Sequence, residues 1–192
     1  MYLPNRIFFT GVPGSRWSGI AQTLETIPGF NTSDRNSQRE YTHTNYGGHA
    51  GAYFGPKMEF EDRLNADYID SAWATQDGTK IIKSHNWAYK LHDVKLSFPN
   101  DWIMLVYRPD MASYTWWHEA GGFAIKYPSY KWYQNSSTML HEINNQNRNI
   151  LTFAYEHDAT WKHFTATWIK DNFGYDLQLT KQHSDILVTI IK

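Results

Sequence analysis

"RIFFTGVPGSRWSGIAQTL", residues 6–24, begins as an apolar run, turns through a glycine-rich loop and continues as a helical pattern. Arg6–Val12 is continuous and rich in Ile, Phe and Val, which is how a strand buried on both faces reads. Trp17, Ile20, Ala21, Leu24 and Ile27 then recur at helical spacing. The loop between them lies where backbone N–H groups at a helix start can hold an anion. Its spacing Gly14-x-x-x-x-Gly19 half matches the phosphate loop of nucleotide triphosphatases. Ile20 and Ala21 stand where that loop carries its lysine and its magnesium-binding hydroxyl. What is left is Gly11 and Gly14 for tight turning, Pro13, the Ser15 and Ser18 hydroxyls, and the Arg16 guanidinium. That set suits a tetrahedral anion bound without a metal. The alternative is a plain strand–helix turn whose glycines only satisfy geometry.

The same strand pattern returns at Lys80–Ser84, Trp102–Tyr107 and Ile150–Tyr155, and the last apolar run, Ile186–Ile191, reads as an edge strand. Helical patterns separate these runs at 59–74, 110–120, 129–146 and 159–173. Alternation of this kind predicts a single α/β domain over 1–192, with a three-layer, mostly parallel sheet flanked by helices. Residues 28–58, with Gly47, Gly48, Gly51, Gly55 and Pro56, read as a long loop of the kind that forms a lid. "NNQNRN" at 144–149 reads as a polar connection into the strand at 150.

Composition narrows the function classes. The formal net charge of -1 gives no general attraction to nucleic acid. No cysteine is present, so neither disulfides nor thiolate metal sites form. The longest apolar runs, "WIMLVY" and "ILVTII", are too short to span a bilayer, and the N-terminus lacks the pattern of a signal peptide. A soluble, cytoplasmic protein is the expectation. The histidines of "HTNYGGH" have no carboxylate at ligand spacing, so no metal site is assigned.

Ligands of open α/β sheets bind beyond the carboxyl ends of the strands. Here the first strand ends in the loop, the second in "KSHNW" with Lys83 and His85, and the third in "YRPDMAS" with Arg108 and with Asp110 as a helix N-cap. These polar, mostly cationic tips are expected to gather around one anion. Ser15, Lys83 and Arg108 should then share a pocket. The bland readings are a structural His85, a solvated Lys83 and an Arg108 paired with Asp110. Trp17 stacks on a bound base in one reading and fills the core in the other. Trp116, Trp117 and His118 form an aromatic cluster, suited to core packing or to stacking on a sugar or aromatic acceptor. His43, Tyr46, His49 and Tyr53 shape an acceptor pocket or belong to a plain surface loop; His118 and His141 receive no role.

The order loop, "KSH", "RP" and a following serine resembles the sulfotransferases that use 3′-phosphoadenosine 5′-phosphosulfate (PAPS). The likeness covers the order of elements across most of the chain, through short motifs. It implies a fold like that of the phosphate-loop NTPases. It also implies that Gly11, Pro13, Gly14, Ser15 and Ser18 hold the 5′-phosphosulfate, that Lys83 and the catalytic His85 form the second motif, and that Arg108 and Ser113 hold the 3′-phosphate. "NILTFAYEHDATWKHFTATWIKDNFGYDL", 149–177, is similar to the strand, Tyr-Glu pair and helix that often close the family's core. The chain also resembles the short stand-alone forms of bacterial viruses, which would place it in the host cytoplasm. Two positions depart from the pattern. The family's loop lysine falls on Gly14 and its glycine on Arg16, so Arg16 takes the cationic role. The arginine-to-serine spacing is short, so Thr115 competes with Ser113.

The implied reaction moves a sulfuryl group from PAPS to a hydroxyl or amine of a small-molecule or carbohydrate acceptor, releasing adenosine 3′,5′-bisphosphate, without a metal, nucleic acid or membrane. Arg16, Lys83 and the loop amides would steady the leaving oxygen, and His85 would take the acceptor proton. Two other readings stand beside it: a degenerate phosphate-loop kinase or NTPase, and a non-catalytic carbohydrate-binding module.

Overall fold

The computed structural model describes residues 3–35, 63–125, 130–179 and 184–192, and the backbone of 40–43 and 47–50. Seven strands are found among them: β1 (Arg6–Gly11), β2 (Glu40–His43), β3 (Gly47–Ala50), β4 (Lys80–Lys83), β5 (Trp102–Tyr107), β6 (Lys162–His163) and β7 (Leu187–Ile191). The helices are α1 (Trp17–Leu24), α2 (Ala66–Asp70), α3 (Leu91–Ser97), α4 (Asp110–Glu119), α5 (Ser136–Glu156) and α6 (Ala166–Phe173). Five strands form one sheet in the order β4-β1-β5-β7-β6. β1 runs parallel to β4 and to β5, whereas β7 runs antiparallel to β5 and to β6. The sheet is therefore mixed, not mostly parallel.

Successive residues of a strand point to opposite faces, and here both faces are covered. Phe8, Ile82, Ile103 and Leu105 pack with residues of α2, α3, α4 and α5, including Ile69, Leu91, Trp117 and Ile143. Ile7, Phe9, Ile81 and Met104 pack on the other side with Ile20 and Leu24 of α1 and Trp168 and Phe173 of α6. Two cores on one sheet make the three layers expected.

The expected strand Ile150–Tyr155 is instead the last part of α5, and its likeness to the strand that closes the sulfotransferase core fails with it. A short apolar run is ambiguous by periodicity alone. The wider pattern settles it: Met139, Ile143, Ile150, Phe153 and Ala154 are buried along one side of the helix. Asn135 starts the helix as a capping box with Thr138. "NNQNRN" is likewise helix, and its polarity has a use. Asn147 Nδ2 donates to the Arg108 carbonyl at 2.9 Å and to Asp110 Oδ1 at 2.6 Å, and Asn144 Nδ2 donates to Asp110 Oδ2 at 2.8 Å. The amides join α5 to the start of α4.

With that strand gone, the sheet is completed from the end of the chain. β7 lies inside it, between β5 and β6, and is not an edge strand. The stretch 28–58 contains the antiparallel pair β2–β3; Tyr46, Tyr53 and the side chains of His43 and His49 lie outside the described residues. The expected helix at 59–74 is shorter, begins at the Asn65 cap and ends at Asp70. Before α6 the chain forms β6, and Thr165 caps the helix by accepting from Trp168 N. Among the described residues no helix is long and apolar enough to cross a membrane.

The sheet positions the site at one place. β1 leads into α1 on one face, and its neighbour β5 leads into α4 on the other. The chain parts at their carboxyl ends, which is where open sheets leave a crevice.

Candidate functional site

The loop between β1 and α1 is built by two left-handed residues, Gly14 at φ 76° and Arg16 at φ 65°. Ser15 N donates back to the Val12 carbonyl at 3.0 Å. The glycine at 14 is dictated by its neighbour as well as by its backbone. A Cβ there would come within 1.9 Å of the Ser113 carbonyl oxygen of α4. No lysine fits at this point of the loop, whatever the resemblance suggests. α1 starts with no side-chain cap at Arg16 and no acidic residue in its first turn. The Arg16 side chain therefore does not close the helix start, and the positive end of α1 lies at the loop. Ser15 is fully buried, and its Oγ has no hydrogen-bond partner among the described residues. Pro13 is buried and Ser18 half-buried beside it.

His85 follows β4 as the first residue of a short 3₁₀ turn capped by Ser84, whose Oγ accepts from Asn86 N at 3.0 Å. The imidazole is buried, and Nδ1 lies 2.7 Å from the Gly11 carbonyl at the tip of β1. A carbonyl only accepts, so Nδ1 carries the proton and Nε2 keeps its lone pair. Burial pushes the imidazole from 6.5 down to about 4, against the bond to Gly11. It is neutral at pH 7. Aromatic rings surround it: Trp17 at 4.6 Å, Trp132 at 6.2 Å and Tyr130 at 6.4 Å between centroids. Trp17 is a core residue, stacked on Phe9 at 5.7 Å on its other side, with almost no surface left for a base.

This imidazole makes folding sensitive to acid. The folded value of about 4 lies below the ordinary 6.5, so the unfolded chain takes the proton first as pH falls. Stability contributed in this way is intact above 6.5, declines between 6.5 and 4, and is lost below 4. The full loss is about 3 kcal/mol. Urea unfolding across that range should show the decline in the parent protein, and His85→Asn, whose amide can replace the Nδ1 donor, should remove that share of it.

Lys83 and His85 diverge. Lys83 is fully buried, and its Nζ meets Glu25 Oε1, just past the end of α1, at 2.8 Å. Arg35 shares the same carboxylate. Arg108 is engaged as well, with Asp185 and not Asp110. Nε and Nη2 reach Asp185 Oδ2 at 2.7 and 2.6 Å, while Nη1 donates to the Gly14 carbonyl at 3.1 Å. Ser113 is buried and its Oγ donates to the Arg108 carbonyl at 3.2 Å, while Thr115 is exposed. Asp110 is the first residue of α4, held by the two asparagines of α5, and caps nothing with its side chain.

Of the expected set Ser15, Lys83 and Arg108, the two cations are each paired with a carboxylate of the protein, Lys83 with Glu25 and Arg108 with Asp185, and Arg108 also touches the loop at the Gly14 carbonyl. A charge that lines the crevice is Arg16, whose guanidinium lies 4.3 Å over the Trp116 ring. Arg16 borders two spaces. One is a cleft of about 40 Å³ with Gly14, His85, Trp116 and Trp117. The other is a groove of about 380 Å³ along α1, lined by Ile20, Phe164, Leu177 and Leu179. The first suits a water or a small anion without rearrangement, and the second has the size of a small-molecule site.

Glu25 and Asp185, the partners that decide what Lys83 and Arg108 do, were not singled out from the sequence. The available signal was indirect: a lysine ending an apolar strand needs a buried partner. Among the described residues no group of three His, Asp or Glu side chains is placed to hold a metal. No protein-family model matches the chain, and neither a curated protein nor a solved structure matches it significantly.

Proposed function

We propose that the protein transfers a sulfuryl group from PAPS to a hydroxyl or amine acceptor. The observation that carries this reading is the pairing of an uncapped loop–helix start with a neutral His85 whose lone-pair nitrogen is fixed by the Gly11 carbonyl. The loop supplies backbone donors and the buried Ser15 hydroxyl for a tetrahedral anion. Arg16 supplies the charge, where the resemblance has a lysine. His85 Nε2 takes the proton of the attacking acceptor as its oxygen or nitrogen bonds to sulfur and the bond to the leaving phosphate oxygen breaks. Little more is asked of the protein than alignment and charge stabilisation.

The geometry reshapes the residue set of the resemblance. Lys83 serves the fold through Glu25, and it has no part in the proposed chemistry. A phosphosulfate entering the cleft of about 40 Å³ would meet Arg16, which in the empty protein lies over Trp116. The groove along α1 is the adjoining space for the rest of the ligand.

Thermal melting with adenosine 3′,5′-bisphosphate in EDTA tests the reading, because a ligand that binds only the native state raises its melting temperature. A saturating bisphosphate should raise it by several degrees, about the effect of a few kcal/mol. ATP that stabilises only with magnesium would point to a kinase or NTPase, and sugars that stabilise without any nucleotide effect would point to a binding module. His85→Ala should keep the bisphosphate shift and lower turnover by about 10² to 10⁴-fold. Unchanged turnover removes His85 from the reaction.

A further inference from the structure

The fork of Arg108 is filled from within. A guanidinium that presents Nε and Nη2 together offers the geometry that grips a carboxylate or a phosphate. Asp185 takes both donors, at 2.7 and 2.6 Å. The two partners differ in access. The Arg108 side chain is 11% exposed and that of Asp185 38%, so the carboxylate forms the solvent side of the pair. An anion arriving from solvent meets Asp185 first.

Asp185 is also lightly held. It sits in the turn just before β7, and among the described residues its side chain bonds only to Arg108. Arg108 is held more firmly. Its third donor, Nη1, fixes the Gly14 carbonyl, and its own carbonyl accepts from Ser113 and Asn147. Movement of Asp185 would leave the guanidinium in place and aimed at the vacated position.

We infer that Asp185 is an exchangeable internal anion: it occupies the Arg108 fork in the empty protein and yields it to a phosphate on the 3′ side of the bound nucleotide. The inference rests on the nucleotide reading above. Exchange replaces one charge-assisted pair with another, so the recessed guanidinium is never left buried without a counter-charge. Throughout, Nη1 keeps its hold on Gly14, and the loop stays docked. Asp185 thereby sets specificity. A nucleotide without a 3′-phosphate has nothing to put in the fork, and it gains nothing when the carboxylate leaves.

Apparent affinity falls in proportion to the time the fork is closed. Removing the carboxylate should therefore strengthen binding of the 3′-phosphorylated ligand alone, by about tenfold if the fork is open a tenth of the time. Calorimetric titration of the parent protein, Asp185→Asn and Asp185→Ser with adenosine 3′,5′-bisphosphate and with adenosine 5′-monophosphate reads this directly. The bisphosphate should bind both variants more tightly, and the monophosphate should bind all three proteins alike. Circular dichroism melts establish that each variant is folded. If neither folds, the Arg108 Nε–H resonance of the parent protein decides: it should move with the bisphosphate and stay with the monophosphate. Equal bisphosphate affinities in parent and variants, or an unmoved resonance in a protein that binds the ligand, overturn the exchange and leave the proposed function standing. Failure of the bisphosphate to bind parent and variants alike rejects the nucleotide reading and the exchange with it.

Discussion

Gly14→Ala is expected to lower stability by about 3–4 kcal/mol, enough to unfold much of a marginal domain. Two costs add. A side chain at φ 76° is strained by about 1–2 kcal/mol. The new methyl group also overlaps the Ser113 carbonyl, which is backbone within α4 and has no rotamer with which to escape. Either the loop lifts from α4 or the helix shifts, and overpacking of this kind costs about 1–3 kcal/mol. Gly19→Ala is the matched control. It lies within α1, at no positive φ, and an added Cβ there meets nothing within 4 Å. It should stabilise by about 0.5–1 kcal/mol through helix propensity. Denaturant unfolding of the two variants side by side separates the contact at 14 from a general effect of adding methyl groups near the loop. A neutral Gly14→Ala would mean that the loop is not docked against α4.

Glu25→Ala should cost about 3–5 kcal/mol, because it removes a carboxylate at 2.8 Å from a fully buried ammonium. Arg35, on the same carboxylate, keeps Asp34 at 3.5 Å and is 28% exposed, so its loss is smaller. Lys83→Met made in the Glu25→Ala background should return much of the loss, since a buried ion pair and an apolar pair of similar volume are often close in energy. The double-mutant cycle, read by urea unfolding, should give a coupling above about 1 kcal/mol. Additive losses would place the Lys83 ammonium in water in solution. The pair also explains how α1 is fixed at both ends: Lys83 grips the residue just past its last turn, and the docked Gly14 precedes its first.

The part of the fold visible in the sequence was the part carried by uninterrupted apolar runs. β1, β4 and β5 are such runs, and α1 and α6 announce themselves by their spacing. α5 is hidden in the sequence because its second half, "ILTFAY", reads as a strand by itself, and only with Met139 and Ile143 does it continue one helical stripe. Its polar middle looked like a loop because the acceptors of Asn144 and Asn147, at Asp110 and the Arg108 carbonyl, lie more than 30 residues away in the chain. The site was legible to a similar degree. Residue types at the strand tips are legible, and the loop's two left-handed positions, Gly14 and Arg16, fall in its glycine-rich turn. Which charges were already satisfied was not legible. Lys83 and Glu25 are separated by 58 residues and Arg108 and Asp185 by 77, and no local pattern connects them. A cation at the end of a strand advertises a need for an anion, and the sequence leaves open whether the protein or a ligand supplies it.

The bond between His85 and Gly11 has one more consequence. The oxygen that holds the ring proton belongs to the final residue of the strand that feeds the loop. Basicity of the imidazole, set first by burial and second by this bond, is thus tied in part to the posture of the loop. A guest that raises the loop would loosen that oxygen and let the proton migrate between the two ring nitrogens; a guest that leaves the loop seated would find the tautomer already set.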